Sequence, residues 1–279
     1  MNATLDAYLE RLREAGPDAS LRTARNGKVV GRFFQSTLTS VFQAVREIES
    51  GHAVAFEGYI RNDAEGDRGL SPWRVLDQAA SDADSIALDR LCRVLHAVNF
   101  FRQSESVGRD LYLSVDTRLL SGVGSNHGMA FLQVLRRLDL PQRQIVLQLP
   151  AVPEEQNWLL NYVSDNYRHN GFRLAVRAND LRHAMYLLDH VRPDAIKLDA
   201  RHAAQGGEAL ALLRDTAGRG VKLVFGKVDA GAVAQPLAEL AQASGLAVFA
   251  QGFLLDPPGS AVAAAQAEAV EYGTALEGA

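Results

Sequence analysis

The chain is short of several things, and each shortage excludes a class. It holds a single cysteine, Cys92, so no intrachain disulfide can form. Cys92 lies in the run Leu91-Cys92-Arg93-Val94-Leu95, which reads as a small buried hydrophobe on a helix rather than a reactive thiol. No run of about 18 apolar residues exists, so no membrane-spanning helix is expected. The opening MNATLDAYLERLREAG carries acids and no apolar core, unlike a secretory signal, and a cytoplasmic location is expected. Positive charge is not in excess: 29 Lys and Arg stand against 33 Asp and Glu, for a net charge of −4. A nucleic-acid binder needs clustered excess cations, so no DNA partner is expected. The seven histidines show no metal-ligand spacing, and no motif supports a Ser-His-Asp arrangement.

What is present is an ordinary globular composition, 279 residues with 47% hydrophobic and 22% charged, enough for one barrel of about 250 residues. Leu5, Tyr8, Leu9 and Leu12 recur at helical spacing, so residues 1–16 form an amphipathic helix that must cover its apolar face on the body or on a partner. Residues 17–32 read as a linker or small hairpin. Strand patterns then fall at 41–48, 53–61, 111–116, 144–149, 173–178, 195–199, 221–228 and 246–251. Helical patterns lie at 86–104, 128–138, 154–168, 180–191, 203–217, 231–243 and 260–270. Continuous apolar strands alternating with helices predict a parallel sheet covered on both faces. Eight such units predict a closed α/β barrel of the (β/α)8, TIM-like type. The first two strands are joined only by Glu49-Ser50-Gly51-His52, too short for a parallel crossover, so the first strand is predicted antiparallel. The expected organisation is an N-terminal helix and linker (1–32), a barrel (33–270) and a tail (271–279).

In such barrels functional groups sit at the carboxyl ends of the strands. Those ends carry Glu57 with Arg61, Ser114 with Asp116, Gln148, Arg177, Lys197 with Asp199, Lys227 with Asp229, and Gln251. The acids are few, whereas a Mg²⁺ site needs several converging oxygen ligands. The loop 122–128 resembles a phosphate cradle but is explained as well by a helix N-cap. Trp73 and Trp158 are expected in packing, and His183 and His190, two turns apart, on a solvent-facing helix surface.

In order and spacing these residues resemble the EAL domain, the bacterial cyclic di-GMP phosphodiesterase family. Phe42-Gln43-Ala44-Val45 resembles its opening Phe-Gln-Pro-Ile strand. Glu57-Gly58-Tyr59 with Arg61 resembles its Glu-Ala-Leu and arginine. Leu70-Ser71-Pro72, Ile196-Lys197-Leu198-Asp199 and Gln251-Gly252-Phe253 with Pro257 resemble later motifs. The resemblance covers roughly residues 41–260 and implies an EAL-type barrel with an antiparallel first strand. Four family motifs are altered. Asn-Leu-Ser reads Ser114-Val115-Asp116, and Glu-Ile-Thr-Glu reads Gln148-Leu149-Pro150-Ala151. The paired aspartates with Phe-Gly read Arg177-Ala178-Asn179-Asp180, and Ala-Glu-Gly-Val-Glu reads Phe225-Gly226-Lys227-Val228-Asp229. Of the positions associated with metal and water activation, Glu57, Lys197 and Asp199 remain.

The resemblance with these departures implies a catalytically inactive pseudoenzyme in cyclic di-GMP signalling, with no cofactor or metal. Two readings follow. In one, Gln43, Glu57, Arg61, Arg177, Lys197 and Gln251 form a metal-free cyclic di-GMP receptor pocket. Arg61 would hold phosphate, and the two glutamines would meet ligand edges. For Gln43 an inward packing role, and for Gln251 a bond closing the barrel, are the plainer alternatives. In the other, the chain is a protein-interaction module with an empty pocket closed by a Glu57–Arg177 ion pair. A buried carboxylate without metal needs another partner, and Arg177 is placed to supply it. An active phosphodiesterase is the distant third. A protein partner and a homodimer are both compatible with the sequence.

Overall fold

The computed structural model describes residues 3–14, 20–24, 27–62, 81–116, 127–153 and 156–262. The Leu-Ser-Pro segment, Trp73, the 122–126 loop, the helical pattern at 260–270 beyond Val262 and the tail lie outside the described residues. Helix α1 (Ala3–Glu14) is followed by the short strands β1 (Leu21–Thr23) and β2 (Val29–Phe33), then by the long strands β3 (Ser36–Glu47) and β4 (Ala53–Asn62). Thereafter helix and strand alternate: α2 (Asp82–Phe101), β5 (Asp110–Ser114), α3 (His127–Arg137), β6 (Ile145–Leu149), α4 (Asn157–His169), β7 (Arg173–Arg177), α5 (Leu181–His190), β8 (Ala195–Asp199), α6 (Gly207–Gly218), β9 (Lys222–Gly226), α7 (Gly231–Ser244) and β10 (Phe249–Ala250).

Strands β3 to β10 close into an eight-stranded barrel in the order β3-β10-β9-β8-β7-β6-β5-β4, with β4 returning to β3. As the four-residue connection requires, β3 is antiparallel to β4, in a register that sets Gln43 opposite Glu57, and also antiparallel to β10. The remaining neighbours are parallel. The fold is therefore the EAL-type (β/α)8 barrel with an antiparallel first strand. Strands β1 and β2 form an antiparallel pair that extends the sheet along the first residues of β3. Helix α1 buries Leu5 and Leu12 and packs Tyr8 and Leu9 against the main core, so its apolar face is spent on the body of the molecule.

The main apolar core lies between barrel and helices. Inside the barrel, Val45, Ala55, Tyr112, Val146, Ala175, Ala195 and Val224 form a second, smaller cluster. Strand side chains alternate with a period of two, so the next inward positions, two residues along each strand, form a layer above it. That layer reads Gln43, Glu57, Ser114, Gln148, Arg177, Lys197, Gly226 and Gln251. An apolar floor beneath a polar layer is what strand parity makes of this sequence.

Two surface expectations are corrected. Trp158 stands 66% exposed on α4 rather than packing between helices. His183 is buried, because it lies in the first turn of α5, where its Nδ1 accepts from Asn179 N at 3.2 Å and its own N–H is capped by Asp180. Only His190 is exposed, stacked on Tyr186.

Candidate functional site

The site is built around Glu57, which strand β4 drives into the barrel mouth at 1% exposure. An isolated carboxylate buried so deeply is strongly unfavourable, and here five groups donate to it. Lys197 Nζ donates to Oε2 at 2.6 Å and the Tyr59 hydroxyl to the same oxygen at 2.8 Å. Oε1 accepts from Gln148 Nε2 at 3.0 Å, Arg177 Nη2 at 3.2 Å and Ser114 Oγ at 3.3 Å. Burial pushes the Glu57 carboxyl up, but the Lys197 and Arg177 charges and the hydrogen bonds from Lys197 and Tyr59 outweigh it and hold the group at about 2. Burial draws the Lys197 ammonium down, partly offset by Glu57. Burial, the Glu57 charge and the Glu57 hydrogen bond push the Tyr59 phenol up. The cluster is thus a carboxylate held by Lys197, Arg177 and three neutral donors.

The cluster reaches across the barrel. Lys197 Nζ also donates to Gln251 Oε1 at 2.7 Å, and Gln251 Nε2 donates to the Gln43 carbonyl at 3.5 Å, linking the last strand to the first. Gln43 Nε2 donates to the Asp256 carbonyl at 2.9 Å. Above the cluster opens a cavity of about 460 Å³ whose walls include Gln43, Glu57, Arg177, Lys197 and Gln251. Five of the six residues singled out from sequence therefore meet in one place. Arg61 is the exception: it is not among the cavity-lining residues, and its Nη1 donates to the neighbouring Ile60 carbonyl at 2.9 Å. It shares the strand face of Glu57 but lies four residues further out.

The expected Glu57–Arg177 contact is present, with Arg177 still 48% exposed. Lys197, not Arg177, is the nearer and deeper partner. At the rim, Asp199 is drawn well below the carboxylate range by hydrogen bonds from Arg201 and then by Lys227. Lys227 takes a left-handed backbone, φ 64°, which is strained for a residue with a side chain. Sequence reasoning missed Tyr59, Arg201 and Phe253 as parts of the site. Tyr59 had a signal, since it lies two residues after Glu57 on the same face of one strand. Both oxygens of Glu57 already accept from cations, Oε2 from Lys197 and Oε1 from Arg177. Among the described residues no group of three or more His, Cys, Asp and Glu stands close enough to hold a metal ion.

The profile of the EAL domain matches residues 29–258, and the chain belongs to that family. A search of curated proteins finds no match. Solved structures with the same fold include the Bacillus subtilis YkuI protein with an EAL domain, in complex with substrate c-di-GMP and calcium. It is 18% identical with a TM-score of 0.61, over 81% of this chain and 56% of that one. This chain thus spans little more than half of that relative. The FimX EAL domain from Pseudomonas aeruginosa bound to c-di-GMP is 16% identical with a TM-score of 0.62, over 80% of this chain and 91% of that one. A standalone EAL protein from Vibrio cholerae in its c-di-GMP-bound form is 16% identical with a TM-score of 0.60, over 81% and 94%. Identities this low carry the fold alone. Among the described residues no helix is long and apolar enough to cross a membrane.

Proposed function

We propose that this chain is a non-catalytic member of the EAL family that acts through protein contacts at its barrel mouth. The observation that carries the reading is the saturation of Glu57 by Lys197, Arg177, Tyr59, Gln148 and Ser114. Hydrolysis of a phosphodiester by a bound metal requires a carboxylate-rich site that holds the cation and lowers the pKa of its water. Here Glu57 is met instead by the fixed positive charge of Lys197 and Arg177. An internal ammonium neutralises Glu57 but supplies no hydroxide. The test is incubation of the protein with cyclic di-GMP in Mg²⁺ or Mn²⁺ and separation of the nucleotides. Intact cyclic di-GMP is expected, and metal-dependent cleavage would end the proposal.

A second reading, a metal-free cyclic di-GMP receptor, is favoured by the size of the cavity and the cations on its rim. The family membership and the c-di-GMP-bound relatives are compatible with it. Against it stand the position of Arg61 outside the cavity and the Arg177–Glu57 contact, which a dinucleotide would have to break. Isothermal titration with cyclic di-GMP separates the two. Micromolar, metal-independent binding with intact nucleotide makes the mouth a receptor, and absence of binding leaves the protein-contact reading.

A further inference from the structure

We propose that the barrel mouth docks an acidic protein segment carrying an apolar anchor side chain, which seats on Phe253 and pairs with Arg177, Arg201 and Lys227. The inference rests on the protein-contact reading above and gives it a surface and a partner chemistry.

Its first support is an exposed aromatic ring carried on a fixed stretch of backbone. Phe253 is 62% exposed at the rim of the cavity, and Leu254 beside it is also exposed. The loop that carries them is tied down throughout. Phe253 N donates to Asp229 Oδ1 at 2.9 Å, Leu254 N to the Val228 carbonyl at 3.0 Å, and Asp256 N to the Gly252 carbonyl at 3.0 Å. Gly252 lies so close to Val228 that a Cβ would stand 2.1 Å from its carbonyl oxygen. Asp256 is held further by Arg46 and Gln43. A loop fixed in this way holds the Cα of Phe253 at the rim with its ring exposed, and a large exposed aromatic is a frequent centre of a protein contact.

The second support is charge. The mouth is lined by four cations (Arg177, Lys197, Arg201 and Lys227) and three carboxylates (Glu57, Asp199 and Asp229), an excess of one positive in a chain of net charge −4. Each carboxylate is already engaged: Glu57 in its cluster, Asp199 by Arg201 and Lys227, Asp229 by the Phe253 amide. Arg201 and Lys227 remain largely solvent-facing and Arg177 about half so, and all three keep donors for a second anion. Complementary charge of this kind selects and orients partners more than it adds raw affinity. An exposed apolar contact and several cations on one rim together fit an acidic segment with one hydrophobic side chain.

The test is fluorescence polarisation of three labelled synthetic peptides of about twelve residues, a length that lays one segment across such a groove. One is acidic with a central Leu or Phe, one acidic with Ser there, and one Lys-rich with the anchor retained. Each is titrated with the full chain and with Phe253→Ser, Arg201→Glu and Lys227→Glu, all at exposed positions. The anchored acidic peptide is expected to bind, more tightly at low salt, and to lose about 10-fold or more in affinity with each variant. Absence of peptide binding at millimolar protein, indifference to Phe253→Ser, or a mouth that takes cyclic di-GMP in place of the peptide would each overturn the docking proposal. The non-catalytic reading is judged separately, by whether cyclic di-GMP is cleaved.

Discussion

The residues around Glu57 differ sharply in what their removal should do. Lys197 is buried with Glu57 and lies 2.6 Å from it. Lys197→Met would leave a buried carboxylate without its nearest cation, a change worth about 3–5 kcal/mol. Arg177 is half exposed and contributes one of five donors, so Arg177→Ala should cost no more than about 1 kcal/mol. Urea unfolding of the two variants checks this, and equal losses would mean that Lys197 is not the main counterion. Much of the cluster was legible in sequence, because Glu57 within β4 and Arg177 at the end of β7 both take inward-facing positions and a metal-poor carboxylate needs a cation. Two things were not. Which of two candidate cations lies nearer depends on side-chain reach across the barrel, which strand parity does not encode. Arg61 shares the parity of Glu57 but stands beyond the polar layer, and parity alone cannot say where a cavity ends.

At the scale of elements, two glycines fix how strands meet their neighbours. A Cβ on Gly58 would come within 2.9 Å of the His96 ring on α2. Gly58→Ala should therefore destabilise by about 1–3 kcal/mol, as overpacking does. At Gly252 the obstacle is the backbone of Val228, which has no rotamer by which to yield. Gly252→Ala is expected to lower the thermal midpoint more than Gly58→Ala, and to raise hydrogen exchange at the amides of residues 253–256. If only the global midpoint moves, the loop is not held where its hydrogen bonds place it. The strands themselves were plain in the sequence, since short continuous apolar runs admit few other assignments. The start of α6 was not. Residues 200–205 form a 3-10 turn capped by Asp199, and the helix begins only after Gly206, at φ 54°. Helical periodicity cannot separate the two types over six residues.

Across the whole molecule the buried ionisable groups make acid the sensitive direction. The His96 ring, buried against β4 with Nδ1 at 2.8 Å from Ser40 Oγ, is lowered by burial to about 4. Glu57 is held at about 2. A depressed histidine stays neutral in the folded chain while the unfolded chain takes up a proton. Its contribution is therefore present above the ordinary histidine value of about 6.5 and lost as pH falls toward 4. The Glu57 contribution is present above about 4.5 and lost as pH falls toward 2. Stability should thus decline in two successive steps below neutrality. The upper step, about 3 kcal/mol for His96, should vanish in His96→Gln. Denaturant midpoints from pH 7 to pH 3 measure both, and a wild-type curve flat between pH 6.5 and 4 would contradict the assignment. The seam of the barrel has a consequence for how the chain is made. Strand β3 pairs with β2 only along its first residues and finds its second barrel neighbour in β10, and the Arg46–Asp256 ion pair that fastens the seam joins residues 210 positions apart. On the ribosome the β3–β4 hairpin can form early, but one edge of it must wait, largely unpaired, until almost the entire barrel has emerged. Closure is then a late event of high contact order, and the nascent protein spends most of its synthesis as an open sheet that a chaperone, or another copy of itself, could claim.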